Sequence, residues 1–345
     1  MERQKLLFII NPHSGRHKKF FIVKKIRKYI DRNIYEPKYI YTEYAGHATV
    51  LARQAVEDAF DFVVAVGGDG TVNEVARALV GTKVALGIVP VGSGNGLARH
   101  LQIPLDVKNA IRVINRRVVK TLDYGKIDGR PFFCTCGVGF DAFISEKFAS
   151  YGKRGLKSYV ENVLKQGFNY QSENYELWMD GEAESYKAFL ITCANASQYG
   201  NNAFIAPHAS MEDGIMDVVV ISPFTVVEAP IIATQLLSKT LPSNPRVKML
   251  HAKKVRITRQ NEGCIHCDGD PYTAGTTIEI ELVPHDFRAL VNDRAHSSNL
   301  IITPVKNDLI RYKDWQLRQW RKQFYGYKRL KKFLQRRING KKIGS

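Results

Sequence analysis

The residues best suited to chemistry lie between Asp61 and Pro104, where two glycine-rich turns follow apolar runs. Phe62 to Val66 ends in Gly67-Gly68-Asp69-Gly70-Thr71, and a stretch with helical spacing (Val72, Val75, Ala76, Leu79) comes next. Glycines allow positive φ and let amides approach a ligand, while a helix start presents unpaired N–H groups and the positive end of its dipole. A turn of this kind stabilises phosphate. Asp69 is repelled by a polyphosphate unless a cation lies between them or its carboxylate holds the turn by hydrogen bonds, so Mg²⁺ is expected nearby. After the next apolar run, Val84 to Val89, a second turn reads Gly92-Ser93-Gly94-Asn95-Gly96 and again opens a helix-like stretch. Two turns at the ends of successive strands predict one shared crevice.

Competing motifs fail on spacing. A P-loop requires GxxxxGK[ST], which Gly152 to Ser158 does not satisfy, and neither GxGxxG nor GxSxG is met around Gly92. What GGDGTVNE and PVGSGNGLARHLQIP together resemble is the diacylglycerol kinase catalytic family, whose members phosphorylate diacylglycerol, sphingoid bases and ceramide. The resemblance covers roughly residues 5 to 292. NAD kinases share the GGDGT turn, whereas the second turn and its continuation resemble the lipid-kinase branch.

The resemblance implies ATP and Mg²⁺. It places nucleotide at Asn11, Pro12, His13, Ser14 and Gly15, at Thr42, at Gly67, Gly68, Asp69, Gly70, Thr71, Val72 and Asn73, and at Ser93, Gly94 and Asn95. Asp69 and Asp270 are its catalytic candidates. The turn from Pro207 to Asp217 resembles the family's PxAxxxDG, which implies a Mg²⁺ site with Asp213 as ligand, assisted by the carbonyls of Ser210 and Ile215; all-oxygen ligation suits that cation. Asp268-Gly269-Asp270 stands where the family reads DGE, its glutamate acting as base toward the lipid hydroxyl. Here the base is shorter by one methylene, about 1.5 Å. By composition alone, Asp-Gly-Asp is a turn before the strand at 277–283.

Strand, turn and helix alternate from Lys5 to Val113, the pattern of a parallel sheet with helices on both faces. Beyond about Val118 short alternating runs read as antiparallel strands, at 132–137, 175–179, 186–193, 216–222, 254–258 and 277–283, with Asp180-Gly181 as a hairpin turn. Helical stretches are expected at 140–151, 156–168 and 225–238. The pattern gives the fold class α/β, with a Rossmann-like domain over 1–120 carrying the GGDGT turn and a mainly antiparallel β-sandwich over 121–290; the resemblance implies that the second domain holds lipid and Mg²⁺ and that 291–345 crosses back to the first domain before a basic helical tail. His47, just inside a helix, reads as structural, and Cys264 and Cys267 point to opposite sides of a strand and do not make a metal pair.

The 345 residues carry a net charge of +18, which favours anionic partners without choosing among them. Within 308–343 about a dozen net positive charges accompany Trp315, Trp320, Phe324, Tyr327, Leu330, Leu334 and Ile338 near helical spacing. Such a helix suits an anionic membrane surface, or packs on the enzyme's own body or on a second subunit of a homodimer. Nucleic acid is disfavoured, since no groove-reading motif accompanies the charge. No apolar run approaches 18 residues, no secretory leader is evident, and five cysteines form an odd set. These features place the chain in the cytoplasm, with peripheral attachment to the inner membrane surface left open. The expected activity is ATP-dependent phosphorylation of a lipid hydroxyl; alternatives are an NAD kinase or a non-catalytic nucleotide- or lipid-binding regulator.

Overall fold

The first lobe follows the alternation expected from its apolar runs: β1 (Gln4–Ile10), α1 (Lys19–Tyr29), β2 (Tyr35–Tyr41), α2 (His47–Glu57), β3 (Phe62–Gly67), α3 (Asp69–Leu79), β4 (Ala85–Pro90), α4 (Gly96–His100) and α5 (Val107–Arg116). The computed structural model describes residues 3–14, 19–151 and 170–293; Gly15, the helix expected at 156–168 and the basic tail lie outside them. Every residue of β3 and β4 is buried, as continuous apolar strands covered on both faces must be. β2, β1, β3 and β4 pair in that order, all parallel. The turns after β1, β3 and β4 therefore share one edge of the sheet. At α5 the Asp106 carboxylate caps the helix through the amide of Asn109, and Arg117 closes it in the left-handed region.

The second lobe runs β5 (Val119–Ile127), β6 (Arg130–Phe132), β7 (Thr135–Gly139), α6 (Phe140–Tyr151), β8 (Glu173–Met179), β9 (Glu182–Ala188), β10 (Leu190–Ala194), β11 (Met216–Ile221), α7 (Ala229–Ser238), β12 (Val247–Ala252), β13 (Lys254–Arg259), β14 (Gly263–Cys267), β15 (Asp270–Ala274) and β16 (Thr277–Leu290). Its six-stranded sheet has the order β12-β11-β10-β7-β14-β15 and faces β13, β8, β16 and β5 across a core that includes Val138, Ile191, Val218, Leu177, Ile257 and Ile278. That is the expected sandwich. The single run read at 186–193 splits, because β9 pairs with β8 in one sheet and β10 with β7 and β11 in the other.

One strand joins the lobes. β16 pairs with β13 and β5 in the sandwich, passes a bulge between Val283 and Phe287, and ends beside β4 with Ala289 opposite Leu86. The ten-stranded sheet is thus continuous from first lobe to second. Asp123, fully buried in β5, fastens the bulge by accepting the His285 amide at 2.8 Å, and its other oxygen accepts the Gly214 amide at 2.8 Å.

Candidate active site

The three turns at the shared edge are tied to one another by side chains that the sequence presents as ligand-facing. Asn11 donates its side-chain amide to the Thr71 hydroxyl at 2.9 Å and accepts the His13 amide at 2.8 Å. The Asp69 carboxylate accepts the amides of Asn95 at 2.8 Å and Gly96 at 2.6 Å. Asn95, left-handed at φ 55°, closes its own turn by bonding both the amide and the carbonyl of Gly92. The Asp69 carboxylate thus holds the second turn to the first.

The glycines differ from expectation. None of Gly67, Gly68, Gly70, Gly92, Gly94 and Gly96 has positive φ. Their need is close backbone approach: a Cβ on Gly92 would stand 2.4 Å from the Gly68 Cα, and one on Gly94 would stand 2.6 Å from an Asp69 oxygen. Turn packs on turn. Gly70 alone of these has nothing within 4 Å of its missing Cβ, so it borders open space.

This arrangement narrows the amides that can meet a phosphate. Val72 already donates to the Gly68 carbonyl, and Asn73 is buried inside α3. The Asn95 amide is bonded to Asp69, and the amides of Ser93 and Gly94 stay as candidates. The start of α3 has no side-chain cap, so its first-turn N–H groups await an outside acceptor. His13, Gly70 and Ser93 are exposed, whereas Ser14 and Thr42 are buried. The Thr42 amide continues the ladder to Ile10. His47 accepts the Glu43 amide and stacks on Tyr44, in line with its structural reading.

From the second lobe, the β14–β15 hairpin reaches over α3. Its Asp268-Gly269 corner has φ of 52° and 84°, the left-handed pair that a two-residue hairpin turn requires. Asp268 points inward and accepts the amides of Phe133, Cys134 and Thr135 at 2.8, 2.7 and 3.1 Å. Asp270 is half-exposed, and both terminal nitrogens of Arg77 lie 3.4 Å from its Oδ2. Burial raises the Asp270 carboxyl above the usual carboxylate range, Arg77 opposes that rise, and the negative charge of Asp69 adds to it.

The hairpin is braced from beneath. Buried His266 on β14 meets Asp141 through Nε2 at 2.9 Å, and Thr192 and Tyr199 bond the same Asp141 oxygen at 2.6 and 3.1 Å. Cys264 and Cys267 diverge as expected, the first toward the Ala142 carbonyl, the second toward Pro131 and Arg77. Sequence reasoning missed Arg77, Asp268 and Asp141. The Asp-Gly dipeptide was a signal for Asp268; nothing local marked the other two.

The Mg²⁺ candidates lie elsewhere in the second lobe. Asp213 is exposed and accepts the Ile215 amide at 3.3 Å, and the Ser210 hydroxyl accepts the Glu212 amide at 3.1 Å. Among the described residues no three His, Cys, Asp or Glu side chains converge on a metal position. An exposed carboxylate is the kind of oxygen donor that Mg²⁺ takes. The turn's own contacts run to β5 and β16 through Asp123.

Comparison with known proteins agrees with this architecture. The model of the diacylglycerol kinase catalytic domain matches residues 5–127, and that of the YegS C-terminal NAD kinase beta sandwich-like domain matches 134–291. A probable lipid kinase YegS-like of Pectobacterium atrosepticum is 30% identical over 252 residues, covering 69% of this chain and 81% of that protein. The diacylglycerol kinase of Bacillus subtilis is 26% identical over 276 residues, 78% of this chain and 90% of the relative. A crystal structure of a diacylglycerol kinase from Bacillus anthracis has the same fold, with TM-score 0.68 at 21% identity over 85% of this chain and 98% of that one.

Proposed function

This chain belongs to the diacylglycerol kinase catalytic family, and from that membership we propose that it is a lipid kinase transferring the γ-phosphoryl group of ATP to a lipid hydroxyl. One observation supports the reading: Asp270, on the second lobe's hairpin, pairs at 3.4 Å with Arg77 of α3, the helix whose uncapped start lies in the GGDGT turn. First-turn amides from Gly68 to Thr71, with those of Ser93 and Gly94, hold phosphate oxygens. Asp69 keeps the two turns in register.

Asp270 takes the proton of the acceptor alcohol as its oxygen bonds to phosphorus, and the bridging P–O bond breaks with its electron pair leaving on ADP. Phosphoryl transfer passes through a loose transition state, so positioning and charge stabilisation supply most of the rate and the base is needed late. Mg²⁺, when bound, offsets negative charge, and Asp213 with the carbonyls of Ser210 and Ile215 would hold it. No helix among the described residues is long and apolar enough to cross a membrane.

The test is transfer of labelled γ-phosphate to diacylglycerol, a sphingoid base, ceramide and NAD in parallel. Label in at least one lipid and none in NAD is expected. Label in NAD alone, or ATP binding without transfer to any acceptor, would overturn the proposal.

A further inference from the structure

Arg77 has no part in the reading so far, yet it is the side chain on which the second lobe's hairpin rests. It projects from the last turn of α3 and is largely buried. Its Nε donates to the Pro131 carbonyl at 3.2 Å, its Nη2 lies 3.6 Å from the Cys267 sulfur, and both Nη atoms face Asp270 Oδ2 at 3.4 Å. A helix of the nucleotide lobe thus touches β6, β14 and β15 through one guanidinium. Asp270 Oδ1 has no hydrogen-bond partner among the described residues. One oxygen is anchored, and the other is left for an acceptor.

The groups around this carboxylate make the anchor necessary. Burial and the negative charge of Asp69 on α3 raise the Asp270 carboxyl, while Arg77 and, more weakly, His266, itself held on Asp141, oppose the rise; the neighbouring Cys267 is pushed up to about 12 by burial and stays a neutral thiol. A short carboxylate in such company drifts toward the protonated form unless a fixed cation stands beside it. A guanidinium is always charged, and its planar fork sets direction as well as field.

We infer that Arg77 is the positioning residue for Asp270: it fixes one carboxylate oxygen, keeps the group ionised, and so lets an aspartate serve where a longer glutamate is expected. The inference rests on the proposed role of Asp270 as base. It makes Arg77 act through that residue and not by touching substrate.

The test uses the full chain and an acceptor lipid found active in the parallel assay. Arg77→Met should lower kcat roughly 10- to 100-fold, the worth of one hydrogen bond to a charged group, with KM for ATP nearly unchanged. The acid limb of its kcat profile should move to higher pH by about one unit, because loss of the cation lifts the carboxyl and activity disappears sooner as pH falls. In an Asp270→Asn background Arg77→Met should cost nothing further. Arg77→Lys keeps the charge and guards against a folding defect; it should melt near the wild type, recover most of the rate and leave the limb in place. An unmoved limb, an equal loss in the Asp270→Asn background, or a folded Arg77→Lys as slow as Arg77→Met would each overturn the inference. Near-normal activity of Asp270→Asn by itself would instead remove the base on which the inference stands.

Discussion

The glycine turns of the first lobe and the Asp268–Asp270 hairpin of the second use the same residue types, acid beside glycine, and hold their carboxylates differently. Asp69 has its oxygens taken by amides of the neighbouring turn, and Asp268 likewise by three amides of the β6–β7 connection. Asp270 faces a single guanidinium at longer range and keeps one oxygen open. A carboxylate surrounded by amides is a structural clasp; one with a single cation and a free oxygen can accept a proton. Environment separates the roles.

The comparison breaks most decisively at Asp270. Asp270→Asn is expected to lower kcat by about 10²- to 10⁴-fold, the range for a general base, with the melting temperature little changed. A large loss of stability without a kinetic effect would make Asp270 a clasp like the others. Asp69→Ala is expected to abolish ATP turnover and also to lower stability by about 2–4 kcal/mol, since two amides lose a charged acceptor. Thermal melting beside ATP binding checks both; an unaltered melting temperature would show that the turns do not need the carboxylate.

A smaller effect sharpens the glycine half of the comparison. Gly92→Ala places a Cβ against the Gly68 backbone and should destabilise by about 1–3 kcal/mol, whereas Gly70→Ala meets open space and should melt like the wild type while weakening ATP binding. Equal melting of the two variants would remove turn-on-turn packing as the reason for glycine. An effect of similar size concerns pH. Burial pushes the His100 imidazole down to about 4, and its Nδ1 accepts the Ser197 amide. The unfolded chain then binds the extra proton first, so stability is full above pH 6.5 and falls as pH drops toward 4. His100→Gln should flatten the melting temperature over that window by an amount equivalent to about 1–3 kcal/mol. A profile no flatter than wild type would place the acid sensitivity elsewhere.

Much of this was legible in the chain. Apolar runs bounded by glycine gave β1, β3 and β4 their places, helical spacing gave α3, and Asp180-Gly181 marked the hairpin whose two corner residues both have positive φ. β5, β12, β14 and β15 were not separately legible. β14 reads Gly-Cys-Ile-His-Cys and β15 begins with Asp-Pro, so neither has a local strand signal; each exists because β7 or its partner offers a ladder.

Periodicity and turn chemistry act over a few residues, which is why the sequence alone determines the alternating first lobe and the glycine-rich turns with their acids along its edge. The jobs those acids perform depend on residues far along the chain: Asn95 lies 26 positions beyond Asp69, and Asp270 lies 193 beyond Arg77. Hydrogen bonds and charge fields are set by distance in space. Only the folding of β16 back onto β4, and of the hairpin over α3, decided which carboxylate is a clasp and which is free to take a proton.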